Sequence, residues 1–159
     1  MYYLSDQRID TLPDLMYFIA HSYKEVKRYD EALMIAQKGL LTSPNNFELI
    51  DMISTCYGLQ NKYDLAEKWA IKALDTHNDD SNAYFRLAWI YQELGRKSKA
   101  IEYYKKRLEL EPKCAASLLN LSVLYWDTNY TQALALRKKA AQLGNETARK
   151  WCKENGYDY

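Results

Sequence analysis

Apolar residues return along this chain at two spacings, one nested inside the other. Tyr84, Leu87, Ala88 and Tyr91 stand three, four and seven positions apart, which lines them along one face of a helix. Ala100, Tyr104 and Leu108 form a second stripe of the same kind, and between the two stripes lies Glu93-Leu94-Gly95-Arg96. Gly95 can take the left-handed backbone that stops a helix, so the segment reads as two antiparallel helices joined by a tight turn.

The whole unit then recurs every 34 residues. Tyrosines fall at Tyr23, Tyr57, Tyr91 and Tyr125, and large apolar residues fall at Met16, Ile50, Tyr84 and Leu118 and at Ile19, Ile53, Leu87 and Leu121. Small residues keep the same register at Ala20, Ser54, Ala88 and Ser122 and at Ala32, Ala66 and Ala100. Self-similarity at a fixed period of this length marks a stacked-repeat architecture. Small side chains let the two helices of a unit approach, and large ones fill the space between neighbouring units. Pro44 and Pro112 close the second helix of their units, with Asn78 in that place in the middle unit. Asn45-Asn46 and Asn78-Asp79-Asp80-Ser81 then supply acceptors for the free amides of the next helix, as Thr11 ahead of Pro13 does for the first.

These residues resemble the tetratricopeptide-repeat family, whose pattern W-x2-L-G-x2-Y, A-x3-F and P spans one such unit. Tyr84, Leu87, Ala88, Tyr91, Gly95, Ala100, Tyr104 and Pro112 fill its eight marker positions in the third unit. The first two units match through Ile19, Ala20, Tyr23, Tyr29, Ala32 and Pro44, and through Ile53, Tyr57, Tyr63, Ala66 and Ala73. Arg107 departs from the pattern, since the family usually has a small residue there; its stem is expected to lie across the surface with the charge outside.

The resemblance implies an all-α fold, an α-α superhelix of antiparallel helix pairs with a C-terminal capping helix. The chain is expected to form a single solenoid domain over 1–159, with repeats near 13–46, 47–80, 81–114 and 115–143 and a cap over 145–155. In the fourth unit the second helix comes one residue early, at Ala133. Lys138-Lys139-Ala140-Ala141-Gln142-Leu143-Gly144-Asn145 is similar to the SEL-like repeats, in which a short AA-x-x-GN stretch joins helices. Tyr2, Tyr3, Leu4 and Ile9 fit either a cap or the remainder of an earlier repeat.

In this family the first helix of each unit lines a concave groove through consensus positions 2, 5, 6, 9, 12 and 13. Counted onto this chain, those positions include Tyr17, Phe18, His21, Met52, Phe85, Arg86, Trp89 and Trp126, which form the candidate peptide-binding groove. Aromatic and Met side chains give much apolar contact at low entropic cost and dominate interface energetics. The resemblance therefore implies a scaffold or adaptor holding a protein or peptide partner, here one with apolar side chains and a Lys or Arg. Self-association into homo-oligomers is the alternative.

The best-known ligand of the family is the acidic C-terminus of heat-shock chaperones. Its clamp positions carry Tyr17, His21, Met52, Asn82 and Arg86 here, and only Arg86 agrees with the family's clamp. Asp14, Glu48 and Asp51 add negative charge close by, so that ligand is not expected.

Charge excludes little else and attracts little. Lys and Arg total 22 against 21 Asp and Glu, a net charge of +1 that gives no general pull toward nucleic acid or anionic lipid. A pentatricopeptide-like RNA reader needs a basic groove, whereas Lys105, Lys106, Arg137, Lys138 and Lys139 fall on second helices. Nucleic acid is not an expected partner. Only two histidines, His21 and His77, are present, with no catalytic motif and no phosphate-binding glycine loop, so no enzymatic activity, catalytic residue, metal or cofactor is expected. Cys56, Cys114 and Cys152 show no metal or disulfide spacing, and no run of about 18 apolar residues occurs to span a membrane. A cytoplasmic location is the expectation.

Overall fold

The structure, a computed structural model, describes residues 12–77 and 79–159. The candidate cap at Tyr2, Tyr3, Leu4 and Ile9, the capping role of Thr11 and that of Asn78 lie outside the described residues. Among the described residues there are nine α-helices and no strand: α1 (Leu12–Glu25), α2 (Tyr29–Thr42), α3 (Phe47–Leu59), α4 (Tyr63–Thr76), α5 (Ser81–Glu93), α6 (Lys97–Leu110), α7 (Ala115–Tyr125), α8 (Tyr130–Gln142) and α9 (Glu146–Glu154). They fall into two compact units, Met1–Asn78 and Asp79–Tyr159.

The helix boundaries follow from local chemistry. Asn46 accepts from the Leu49 amide at 2.9 Å to open α3, and Asp80 accepts from the Asn82 and Ala83 amides at 2.6 and 3.3 Å to open α5. Asn129 and Asn145 do the same for α8 and α9. The helices α2 and α6 stop at Thr42 and Leu110, just ahead of Pro44 and Pro112. The turns inside the first three units share a left-handed residue, Lys27, Asn61 and Gly95, at φ near +60 (61, 60 and 68°). Each stands 34 after the last, so the backbone keeps the period even where glycine does not. In the fourth unit α7 ends at Tyr125 after only 11 residues, and α8 begins at Tyr130 behind Asn129, whose φ is −152°, which brings Ala133 forward as expected.

In the first unit α1 to α4 enclose a core of Ala20, Ala32, Leu33, Ala36, Leu49, Met52, Ile53 and Cys56. Burying a side chain such as Leu49 or Ile53 contributes roughly 1.5–3 kcal/mol. The small residues do what their register implies: Ala20, Ala32, Ser54 and Ala66 have no exposed surface, and Ser54 Oγ donates to the Ala66 carbonyl at 2.9 Å. Gly39 marks the tightest approach, because a Cβ there would stand 2.5 Å from Leu49 Cδ1. Ile19 differs from its repeat partners Ile53, Leu87 and Leu121: it is 37% exposed while they are buried.

In the second unit Leu87, Ala88, Ile90, Tyr91, Ala100 and Tyr104 are buried, and α9 closes onto a core of Leu118, Ala140, Ala141, Ala148 and Cys152. Lys150, Lys153 and Glu154 stay on the exposed side of α9.

Arg107 corrects the expectation of an outward charge. Its side chain is only 11% exposed. The guanidinium donates to the Ser81 carbonyl at 2.8 Å, Asn82 Oδ1 at 3.0 Å, Glu111 Oε2 at 3.1 Å and Cys114 Sγ at 3.1 Å. Ser81 Oγ also donates to Glu111 Oε1, and Ser117 Oγ donates to Cys114 Sγ at 3.3 Å. A position that is Gly39 in the first unit has become the hub joining α5, α6 and α7. Burial opposes ionisation of Cys114, yet hydrogen bonds from Ser117 and then Arg107 outweigh it, and the thiol pKa lies below its ordinary value.

Candidate peptide-binding surface

The first-helix positions are carried by α1 and α3 in one unit and by α5 and α7 in the other. On α1, Tyr17, Phe18 and His21 are all partly exposed. Tyr17 meets Phe18 edge-on at 5.9 Å between centroids and tilts against His21 at 6.0 Å. His21 Nε2 lies 3.7 Å from Glu25, which also pairs with Lys24 at 3.0 Å. These pairs make α1 an aromatic surface edged with mixed charge. Met52 on α3 stands apart from them, because the structure places it in the core at 4% exposure. The register puts it on the ligand-side face, and the packing of α1 to α4 covers it.

In the second unit Phe85, Arg86 and Trp89 are partly exposed on α5, and Trp126 caps the end of α7. Phe85 packs edge-on against Tyr104 at 5.7 Å and lies under the Arg107 guanidinium at 5.2 Å. Tyr104 is fully buried, and burial pushes its phenol pKa up, although the hydrogen bond from Asn120 works the other way. Its oxygen takes a hydrogen bond from Asn120 Nδ2 at 2.8 Å and sits 3.4 Å from Gln92 Oε1. Asn82, Phe85, Gln92 and Asn120 are therefore seam residues as well as surface residues, tying α5, α6 and α7 together.

Trp126 belongs to a larger aromatic assembly with Tyr130, Trp151 and Tyr157. Its indole lies 5.2 Å from Trp151, nearly perpendicular at 85°, and 4.9 Å from Tyr130. Trp151 stacks on Tyr157 at 5.5 Å, and the hydroxyls of Tyr130 and Tyr157 are 2.9 Å apart. Trp151 is the sixth residue of α9, as Asn120 is of α7 and Arg86 of α5, so α9 extends the same first-helix face. That count from the helix start was the signal available in the sequence.

Chemically the surface offers apolar contact and hydrogen bonding. Among the described residues no group of three or more His, Cys, Asp or Glu could hold a metal ion, and no helix is long and apolar enough to cross a membrane. The three cysteines are free thiols, with Cys56 and Cys152 buried.

Comparison with known proteins matches this geometry. Residues 13–46 and 81–114 match the family described as Tetratricopeptide repeat. The photosystem I assembly protein Ycf3 of Cyanophora paradoxa is 33% identical over 67 residues, covering 42% of this chain and 36% of that protein. The BBSome complex member BBS4 of Bos taurus is 28% identical over 126 residues, 77% of this chain and 23% of that protein. The chain thus spans only 36% and 23% of the length of these two curated relatives. The crystal structure of MamA aligns with a TM-score of 0.76 at 17% identity, covering 87% of this chain and 81% of that one, which is a likeness of fold. The helix pairs and these matches agree: residues 13–46 and 81–114 are tetratricopeptide repeats, and the fold is the one MamA shares.

Proposed function

We propose that this chain is a protein-interaction scaffold that holds a peptide segment of a partner on the first-helix face of its repeats. The observation that carries the reading is the run of partly exposed Phe85, Arg86, Trp89 and Trp126 on α5 and α7. Phe85 also packs on Tyr104 and Trp126 on Trp151, yet each keeps part of its ring exposed on this face. Exposed aromatic surface of this kind is where binding energy concentrates. Tyr17, Phe18 and His21 offer a second such surface on α1, while Met52 acts from beneath as core. The relatives support the coarse role, since Ycf3 and BBS4 bear names of an assembly protein and a complex member. A reducing compartment such as the cytoplasm suits three free thiols.

The test is a peptide array probed with the whole chain and with a Phe85→Ala/Trp89→Ala double variant. The reading expects a set of bound peptides rich in apolar side chains and loss of their signal in the variant. Unchanged binding by a folded variant contradicts it.

Self-association is a second reading, favoured by α1 and the turn after it, where Leu12, Leu15, Ile19 and Val26 are 50, 42, 37 and 65% exposed. Light scattering behind size-exclusion chromatography decides it: a mass of one chain at every concentration removes this reading.

A further inference from the structure

Arg137 on α8 occupies an unusual setting for a guanidinium. Its central carbon lies 4.6 Å from the Trp126 ring and 4.6 Å from the Trp151 ring, so two indoles hold it. Nε donates to the buried Ser122 Oγ at 3.2 Å. A guanidinium has five N–H donors. Among the described residues the four at the two terminal nitrogens have no acceptor, and no carboxylate pairs with the group. Burial lowers its pKa, as desolvation of an uncompensated cation must. Arg107 in the same unit, also only partly exposed, is the opposite case, since it spreads its donors over four different residues.

An arginine held rigid and partly dried by aromatic faces, with its fork unfilled, is prepared for an anion. Leaving such a charge without a partner is costly, and a planar carboxylate that fills the fork with two hydrogen bonds relieves the cost. Its own helix agrees in sign, since α8 carries Arg137, Lys138 and Lys139 and no acidic residue. Trp126 and Trp151 stand on the first-helix face of α7 and α9, the face to which a peptide docks under the proposed function, on which this inference rests.

We propose that Arg137, framed by Trp126 and Trp151, receives the carboxylate of a Glu or Asp side chain in the partner peptide. The two indoles then pack against an apolar side chain next to that acid. The proposed partner therefore joins apolar anchors to at least one acidic residue. This recognition differs from a clamp of first-helix lysines and asparagines, because the cation rises from a second helix between two aromatic rings.

Two blocked tripeptides, acetyl-Leu-Glu-Leu-amide and acetyl-Leu-Gln-Leu-amide, test the assignment by titration into the full chain, read by nitrogen–proton NMR. The expected result is saturable movement of the Arg137 Nε–H and of the Trp126 and Trp151 indole N–H signals with the Glu peptide. The Gln peptide should bind about tenfold more weakly, the usual advantage of a charge-assisted, bidentate contact over a neutral one. Arg137→Gln should bring the two peptides level, with Arg137→Lys intermediate. If Arg137→Gln disturbs the packing of α9, the Glu-against-Gln comparison on the unaltered protein still decides. Equal movement by both peptides overturns the carboxylate assignment and leaves peptide holding intact. Absence of movement at Arg137, while peptides from the array bind elsewhere, overturns it as well. A chain that binds neither these peptides nor any on the array removes the proposed function together with it.

Discussion

The seam between α2 and α3 and the seam between α6 and α7 occupy the same place in their repeats and solve it in opposite ways. In the first unit the α2 side is Gly39 and the α3 side is the fully buried Leu49, which fills the space a Cβ would need. In the second unit, 68 residues on, the α6 side is Arg107 and the α7 side is the fully buried Ser117. Small against large has become large against small, and both polar groups of the second seam bond to Cys114 Sγ. These two seams thus exchange which column carries the large side chain, a trade of volume that close packing tolerates. The exchange also changes the kind of cohesion: one seam is apolar and the other is a hydrogen-bonded network that reaches the first turn of α5.

The largest effect should come from Leu49→Ala, which empties a fully buried site and is expected to cost about 2–5 kcal/mol. Ser117→Ala, at the matching column, should cost no more than about 1 kcal/mol. Urea denaturation of both variants checks the pair, and equal losses would mean that the two seams are not inverted.

Gly39→Leu should cost about 1–3 kcal/mol through overpacking. Combining it with Leu49→Ala should recover part of the loss, because the pair then mimics the arrangement at Arg107 and Ser117. A double-mutant cycle in which the losses simply add would break the volume account.

Arg107→Met keeps the stem and removes the guanidinium, leaving the Ser81 carbonyl and Glu111 without that donor. A cost of about 1–3 kcal/mol is expected from the unmet hydrogen bonds. The same variant should slow alkylation of Cys114 at pH 8 by about threefold, since its thiol loses a cation that favours the thiolate. The buried Cys56 and Cys152 should stay inert in the folded chain.

The smallest effect concerns the turns. Lys27→Gly should stabilise by about 0.5–1 kcal/mol, because its φ of +61° suits glycine better than lysine. The matching Gly95→Ala should destabilise by a similar amount, although no atom stands within 4 Å of the added Cβ. Melting curves of the two variants moving in opposite directions would confirm that the turn is fixed by the backbone.

These contrasts also explain what could be read from the sequence. The 34-residue period of Tyr23, Tyr57, Tyr91 and Tyr125, with the prolines and the Asn46 and Asp80 caps, carries the helix pairs because each is a local rule. The early start of α8 was visible in Ala133 for the same reason. Arg107 was not legible: a long side chain at a small column can turn outward or inward, and three helices decide which. Lys27 hid its left-handed turn, since glycine or asparagine announces one and lysine does not. The register placed Met52 on the ligand-side face, but whether a side chain at that position is open depends on neighbouring helices. Arg137 drew notice only as one of several bases on second helices, because its two indoles come from α7 and α9 and meet only after folding.

The account's central claim is that the aromatic first-helix face holds a peptide, and Trp89 is its most direct test. Fluorescence anisotropy of an array-selected peptide should show at least about a tenfold loss of affinity in Trp89→Ala, the scale of an aromatic anchor. The melting temperature of the variant should stay close to that of the parent. Parent-like affinity in a variant that melts with the parent would contradict the claim.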